Sequence, residues 1–173
     1  MKKIKEEIIE VQDYPIKGIG FKDLTPVWKN QVLFNELINE MTETWGGFKI
    51  DMVASIESRG FIVGAPIAYK LNAGFIPLRK PNKLPREVYT QHVKLEYGET
   101  EIQVHKDAFD GVENVLIVDD LLATGGTAIA AHRLIPKDIV VGFGFMVELS
   151  KLNGRKKIEE ISDAKIESLV IYD

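Results

Sequence analysis

The stretch VLIVDDLLATGGT, residues 115–127, decides how the rest of the chain is read. Val115 to Val118 form an apolar run with the make-up of a buried strand, and two adjacent carboxylates, Asp119 and Asp120, follow at once. A chain that turns at this point lets both acids reach one ligand. Ionised carboxylates only accept hydrogen bonds, and the two neighbouring hydroxyls of a ribose are matching donors. Ala123, Thr124, Gly125, Gly126 and Thr127 come next, a loop of backbone N–H groups with hydroxyls near either end. A helix predicted over Thr127–Leu134 adds its N-terminal dipole and free amides, the usual setting for an anion. Glycine suits the loop because a Cβ would hold the backbone away from phosphate oxygens. No GK[ST] follows, as a Walker loop requires, and the G-x-G-x-x-G spacing of a dinucleotide site is absent. The pattern reads as a cradle for a sugar phosphate.

Outward from this stretch, strands and helices alternate. Gln31–Trp45 carries apolar residues at 33, 34, 37, 38 and 41, a helical period. Ile50–Ile56 reads as a strand, Phe61–Leu71 as a helix, Gly74–Leu78 as a strand, and Ile139–Val147 and Ser168–Ile171 as later strands. Glu101–Val104 reads as a short returning strand. Such alternation predicts an α/β fold with a central, mainly parallel sheet flanked by helices, and ligands in such folds sit beyond the carboxyl ends of the strands. Ile4, Ile8 and Val11 suggest one short amphipathic helix, and Asp13–Pro26 a structured loop rich in Gly and Pro. Lys80–Gly98 mixes charges, prolines and aromatics without a period, so it reads as a long excursion of the kind that serves as a lid.

At 173 residues the chain is expected to be a single domain, 1–173, with ordinary globular composition: 45% hydrophobic and 28% charged. The net charge of −4 argues against broad binding to nucleic acid or to a membrane surface. The absence of cysteine excludes disulfides and thiolate catalysis. Glu6, Glu7 and Glu10 interrupt the basic N-terminus, so no secretory signal is read there. No segment approaches the ~18 consecutive apolar residues of a membrane span. The expected compartment is the cytoplasm. His92, His105 and His132 lack ligand-like spacing, so no protein metal site is expected. Trp28 and Trp45 read as packing residues, and Lys151–Glu160 as a solvated helical face.

The 115–127 stretch resembles the phosphoribosyl pyrophosphate (PRPP) motif of type I phosphoribosyltransferases. GIGFKDLTP at 18–26, ESRGF at 57–61, RKPNKLP at 79–85, LEYG at 95–98 and VEL at 147–149 are similar to the adenine phosphoribosyltransferase family in particular. These landmarks keep the family's order from about Asp13 to Leu149. The resemblance implies a type I phosphoribosyltransferase fold with a small hood, drawn from residues 1–26 and a lid loop at about 80–100. It also implies transfer of the phosphoribosyl group of PRPP to adenine, giving AMP and pyrophosphate in purine salvage.

On that resemblance, Asp119 and Asp120 hold the ribose hydroxyls and Ala123–Thr127 the 5-phosphate. Glu57, Ser58, Arg59 and Gly60 form the pyrophosphate loop, with a non-proline cis peptide expected between Glu57 and Ser58. Arg59 also suits phosphate on its own chemistry, since a guanidinium fork matches phosphate oxygens; without the resemblance it reads as a surface salt bridge. Ile19, Gly20, Phe21 and Lys22 fall on the base-binding segment, where backbone groups read the adenine edge. Phe21 alone would be assigned to the core, and Lys22 departs from the arginine usual in the family. Lys83, Glu96 and Tyr97 fall on the mobile catalytic hood, with Glu96 hydrogen bonding the base; alone they read as solvated loop residues. Arg79 resembles a PRPP-binding residue that, in related enzymes, reaches the neighbouring subunit's pyrophosphate site, so a homodimer is expected. Mg²⁺ is expected on the pyrophosphate and ribose oxygens rather than in a protein cage. Two alternatives stay open. A phosphoribosyltransferase for another purine base would share the PRPP loop but not GIGFKDLTP and LEYG. A PRPP-sensing regulator would need a DNA-binding extension.

Overall fold

A computed structural model describes residues 2–14, 16–18, 20–94 and 99–173. They divide into two compact units, 1–40 and 41–173. In the first, α1 (Lys2–Glu7) is followed by β1 (Ile9–Gln12), β2 (Gly20–Asp23), α2 (Thr25–Lys29) and the start of α3 (Gln31–Trp45). The helix period expected to run through Ile4, Ile8 and Val11 stops at Glu7. Ile4 is buried, whereas Val11 is exposed on a strand. The reason is a partner distant in sequence: β1 pairs antiparallel with β2, in register from Ile9 opposite Asp23 to Gln12 opposite Gly20. The stretch expected to be loop, 13–26, therefore contains a strand and the first turn of α2.

The second unit holds β3 (Met52–Ile56), α4 (Arg59–Lys70), β4 (Gly74–Leu78), β5 (Val88–Lys94), β6 (Glu99–His105), β7 (Val115–Leu122), α5 (Gly126–Leu134), β8 (Val140–Leu149), α6 (Gly154–Glu159) and β9 (Lys165–Tyr172). Among the described residues, five of these strands make an all-parallel sheet in the order β4-β3-β7-β8-β9. β7 lies at its centre, and Val115 to Val118 are fully buried. An unbroken apolar run is what a strand covered on both faces requires. Between β3 and β4, α4 packs on β3 and β7. Gly64 permits that approach, because a Cβ there would stand 2.4 Å from Ser55 Oγ. Trp45 is equally dependent on glycine: a Cβ on Gly142 of β8 would lie 2.2 Å from its ring.

Lys80–Gly98 departs from the expected excursion. Val88–Lys94 within it form β5, paired antiparallel with β6 from Val88 opposite His105 to Lys94 opposite Glu99. Val93, Ile102 and Val104 are buried in the core cluster that includes Ile56, Leu78 and Ile117. The hairpin is tied to the end of β4 through Arg79 and Gln103, whose backbones exchange hydrogen bonds of 2.8 and 2.7 Å. Its polar residues hid the strand, since only one face of it meets the core.

Candidate active site

β3 and β7 run parallel in adjacent positions, so their carboxyl ends open on the same edge of the sheet. Ser55 Oγ donates to Val118 O at 2.9 Å and ties the two strands together just below that edge. The chain does not turn at the acid pair, as the sequence suggested. β7 continues through Asp119 and Asp120 to Leu122, with Asp119 in register with Phe145 of β8. Both carboxylates nevertheless meet the start of α4. Asp119 Oδ1 stands 2.7 Å from the position a Cβ on Gly60 would take. Asp120 Oδ2 is 2.7 Å from Arg59 Nε. Gly60 is thus a requirement of close approach, and Arg59 opens the helix directly above the acids.

This Arg59–Asp120 contact is Coulombic rather than a directed hydrogen bond, because the buried Asp120 Oδ2 has no aligned donor among the described residues. Asp119 Oδ1 accepts from the backbone N–H of Asp120 at 2.9 Å. Asp119 keeps some accessible surface, but its carboxyl sits among closely packed atoms. Burial pushes its titration well above the ordinary carboxylate range; the adjacent Asp120 adds to the rise and Arg59 opposes it. Asp120 is also raised by burial, against the pull of Arg59. Two buried acids side by side are unfavourable for the fold alone, and sugar hydroxyls are donors able to satisfy them.

The Glu57–Ser58 peptide is cis, where the resemblance put one. Glu57 turns to Arg79: Arg79 Nε donates to Oε2 at 2.8 Å, and the backbone N–H of Lys80 donates to the same oxygen at 2.9 Å. The Arg79 hydrogen bond holds the Glu57 carboxyl below its usual range, against its burial. Arg79 also lies over the Phe61 ring at 5.9 Å. Sequence reading had named both residues without linking them.

At the end of β7, Gly125 takes φ +80° and caps α5. That left-handed conformation favours glycine and turns the chain into a helix whose first N–H groups have no intrahelical carbonyl to meet. No side-chain cap occupies them from Gly125. The acid pair, Arg59, Gly60 and the glycine loop therefore belong to two adjacent strand ends and the two helices that follow them. A cation, paired carboxylates and a helix start without a side-chain cap are brought to one edge.

Across residues 30–165 the chain matches the phosphoribosyl transferase domain family. It is 50% identical over 171 residues to the adenine phosphoribosyltransferase of Thermosynechococcus vestitus, covering 98% of this chain and 99% of that one. The chain belongs to the adenine phosphoribosyltransferase family. Among solved structures of that family, the enzyme from Thermoanaerobacter pseudethanolicus superposes with a TM-score of 0.90 at 44% identity, covering 99% of both chains. The adenine phosphoribosyltransferase of Saccharomyces cerevisiae, complexed with an imino-altritol bisphosphate and adenine, gives a TM-score of 0.86 at 35% identity over 97% of each chain. The type I phosphoribosyltransferase fold expected from the sequence is thus the fold observed.

Other family landmarks belong to other elements or fall outside the described residues. Gly20, Phe21 and Lys22 are on β2 in the first unit, while Ile19 lies outside the described residues. Lys22 Nζ is 2.7 Å from Glu10 Oε2, and the Phe21 ring meets Tyr14 edge-on at 5.1 Å. Lys83 is exposed before β5. Glu96 and Tyr97 lie outside the described residues. One segment was misjudged. In 151–160, read as a solvated face, Arg155 donates to Glu148 at 2.6 Å and to Ile166 O at 2.9 Å. Glu148 is only 4% exposed. Burial works to raise its carboxyl, but hydrogen bonds from Arg155 and Ser168 outweigh that and lower it. No period marks such a pair in the sequence.

Proposed function

We propose that this chain transfers the 5-phosphoribosyl group of PRPP to adenine, forming AMP and releasing pyrophosphate, a step of purine salvage. The observation that carries the reading is the meeting of Asp119, Asp120, Arg59 and Gly60 at the strand edge from which the Ala123–Thr127 loop leaves. The acids accept from the 2- and 3-hydroxyls of the ribose. The loop and the first turn of α5 hold the 5-phosphate. Arg59 and the Glu57–Gly60 backbone take the pyrophosphate, and Arg59 then exchanges its contact with Asp120 for phosphate oxygens.

The bond from C1 to the pyrophosphate oxygen lengthens first, leaving an oxocarbenium-like centre. Adenine N9 attacks from the opposite face, and its proton passes to water or to the departing pyrophosphate. Arg59 stabilises the departing negative charge, so rate enhancement is mostly positioning and electrostatics. Gly20, Phe21 and Lys22, with Ile19, read the base; Glu96 hydrogen bonds it, and Lys83 and Tyr97 belong to the lid that excludes water, the competing nucleophile. Adenine offers an exocyclic donor where hypoxanthine offers an acceptor, so a site paired to one leaves buried groups unpaired with the other.

Among the described residues no group of three or more His, Cys, Asp or Glu is placed to hold a metal. The carboxylates at the site are a buried pair with raised titration, beside Arg59. This donor set suits Mg²⁺ that arrives on PRPP, held by substrate oxygens and water, where it neutralises pyrophosphate charge. Cytoplasmic location is part of the same proposal; among the described residues no helix is long and apolar enough to cross a membrane. A homodimer is supported by the outer face of α4, where Ile62 is 38% and Tyr69 87% exposed, two turns apart on one side.

The test is a steady-state assay with PRPP and Mg²⁺, offering adenine, hypoxanthine, guanine and xanthine in parallel. AMP from adenine alone is the expected result. Product from an oxopurine would discard the base assignment and keep the sugar-phosphate cradle. PRPP binding without product from any base would point to a sensor.

A further inference from the structure

We infer that Gly154, which opens α6, is a positioning residue for the phosphate loop. This rests on the reading that Ala123–Thr127 holds the 5-phosphate. A Cβ on Gly154 would stand 2.3 Å from Ala123 O and 2.9 Å from Gly125 N. Reciprocally, a Cβ on Gly125 would stand 2.9 Å from Gly154 O and 3.1 Å from Gly154 Cα. The two glycines lie back to back, backbone against backbone, with no room for one more carbon on either. Because the obstructing atoms belong to the loop's own main chain, nothing can yield there without moving the amides that face the phosphate.

α6 is itself anchored to the sheet. Arg155 grips Glu148 of β8 through Nε and Nη2 and donates to Ile166 O of β9. Ile158, one helical turn on, is fully buried. A third contact comes from Lys157, whose Nζ donates to Thr124 O at 3.3 Å. The line of support runs from the sheet through Arg155 to the α6 turn, and from there into the back of the loop. A loop made mainly of small residues has little packing of its own to fix its amides, so an external backstop sets their positions.

Gly154 is not in the left-handed region, unlike Gly125. Alanine is therefore acceptable to its backbone and is the better helix former. Gly154→Ala acts through the contact alone, and propensity by itself would make it neutral or stabilising. The expected result is a KM for PRPP raised about ten- to a hundredfold, the equivalent of one charge-assisted hydrogen bond. The KM for adenine at saturating PRPP should stay within about twofold. Thermal stabilisation by ribose 5-phosphate should be lost in parallel. A variant that melts lower but keeps its PRPP KM and its ribose 5-phosphate shift would reduce Gly154 to a packing residue and overturn the inference. If Gly154→Ala does not fold, Lys157→Gln carries the test: a severalfold rise in PRPP KM supports the brace, and an unchanged value overturns it. Thr127→Val is the control for the underlying reading. If it raises the PRPP KM while the α6 variants do not, only the brace fails; if it too is silent, the phosphate assignment of the loop fails with it.

Discussion

At Asp119 the site works against the fold. The native state holds this carboxyl's proton more tightly than the unfolded chain, whose ordinary value is 3.8. The folded form therefore binds more protons through the window above 3.8, and stability falls as pH rises until the raised native value is passed. Asp119→Asn removes that penalty while keeping an oxygen that accepts from the Asp120 N–H. The variant should melt higher than the wild type at pH 7, and the difference should close as pH falls below about 3.8, where both states are protonated. Its kcat/KM for PRPP should fall at least about tenfold, because a charge-assisted acceptor is gone. A scanning calorimetry series over pH, with steady-state kinetics alongside, checks both halves; a lower melting point at pH 7 would refute the burial penalty. Glu57 has the opposite sign. The Arg79 hydrogen bond depresses it, so its contribution is present above the ordinary value of 4.5 and is lost as pH falls through its lowered value.

Among elements, α6 shows how little a short helix reveals of its role. Six residues, four of them charged, describe a solvated turn by composition. Arg155 changes that by satisfying the buried Glu148. Replacing Arg155 with Ala leaves the Glu148 carboxylate buried beside Ser168 without its cation, and should cost about 2 kcal/mol in urea unfolding. Glu148→Gln in the same background should recover part of that loss, since a neutral amide is cheaper to bury than an orphaned charge. The β5–β6 hairpin carries the converse lesson. Tyr89, Thr90 and Gln91 offer no alternation strong enough to see, yet the ladder with β6 and the burial of Val93 fix a strand there. Two predictions fall on the observed residues: the long periodic helix α3, Gln31–Trp45, and the short apolar strand β4, Gly74–Leu78.

For the whole molecule, the proposed homodimer is tested at a surface rather than at the site. If the α4 face closes a homodimer, Tyr69→Asp should shift sedimentation from dimer to monomer at micromolar protein. A wild-type chain that sediments as a monomer would remove the proposed dimer altogether. The sequence by itself determined the α/β class, the buried strand at 115–118 and the glycine turn into a helix that follows it. Each is a local property: an apolar run long enough for a buried strand, and a glycine pair that only a tight turn into a helix accommodates. The family landmarks, read in order, added the family itself and the cis peptide between Glu57 and Ser58. Tertiary structure alone decided that β7 runs on through both acids, and that they still meet Arg59 and Gly60 of α4. It alone paired β1 with β2 and β5 with β6, linked Glu57 to Arg79, and set Gly154 against Gly125. These contacts join different elements, most of them many residues apart in the chain. Their free energy comes from partners that no local window contains.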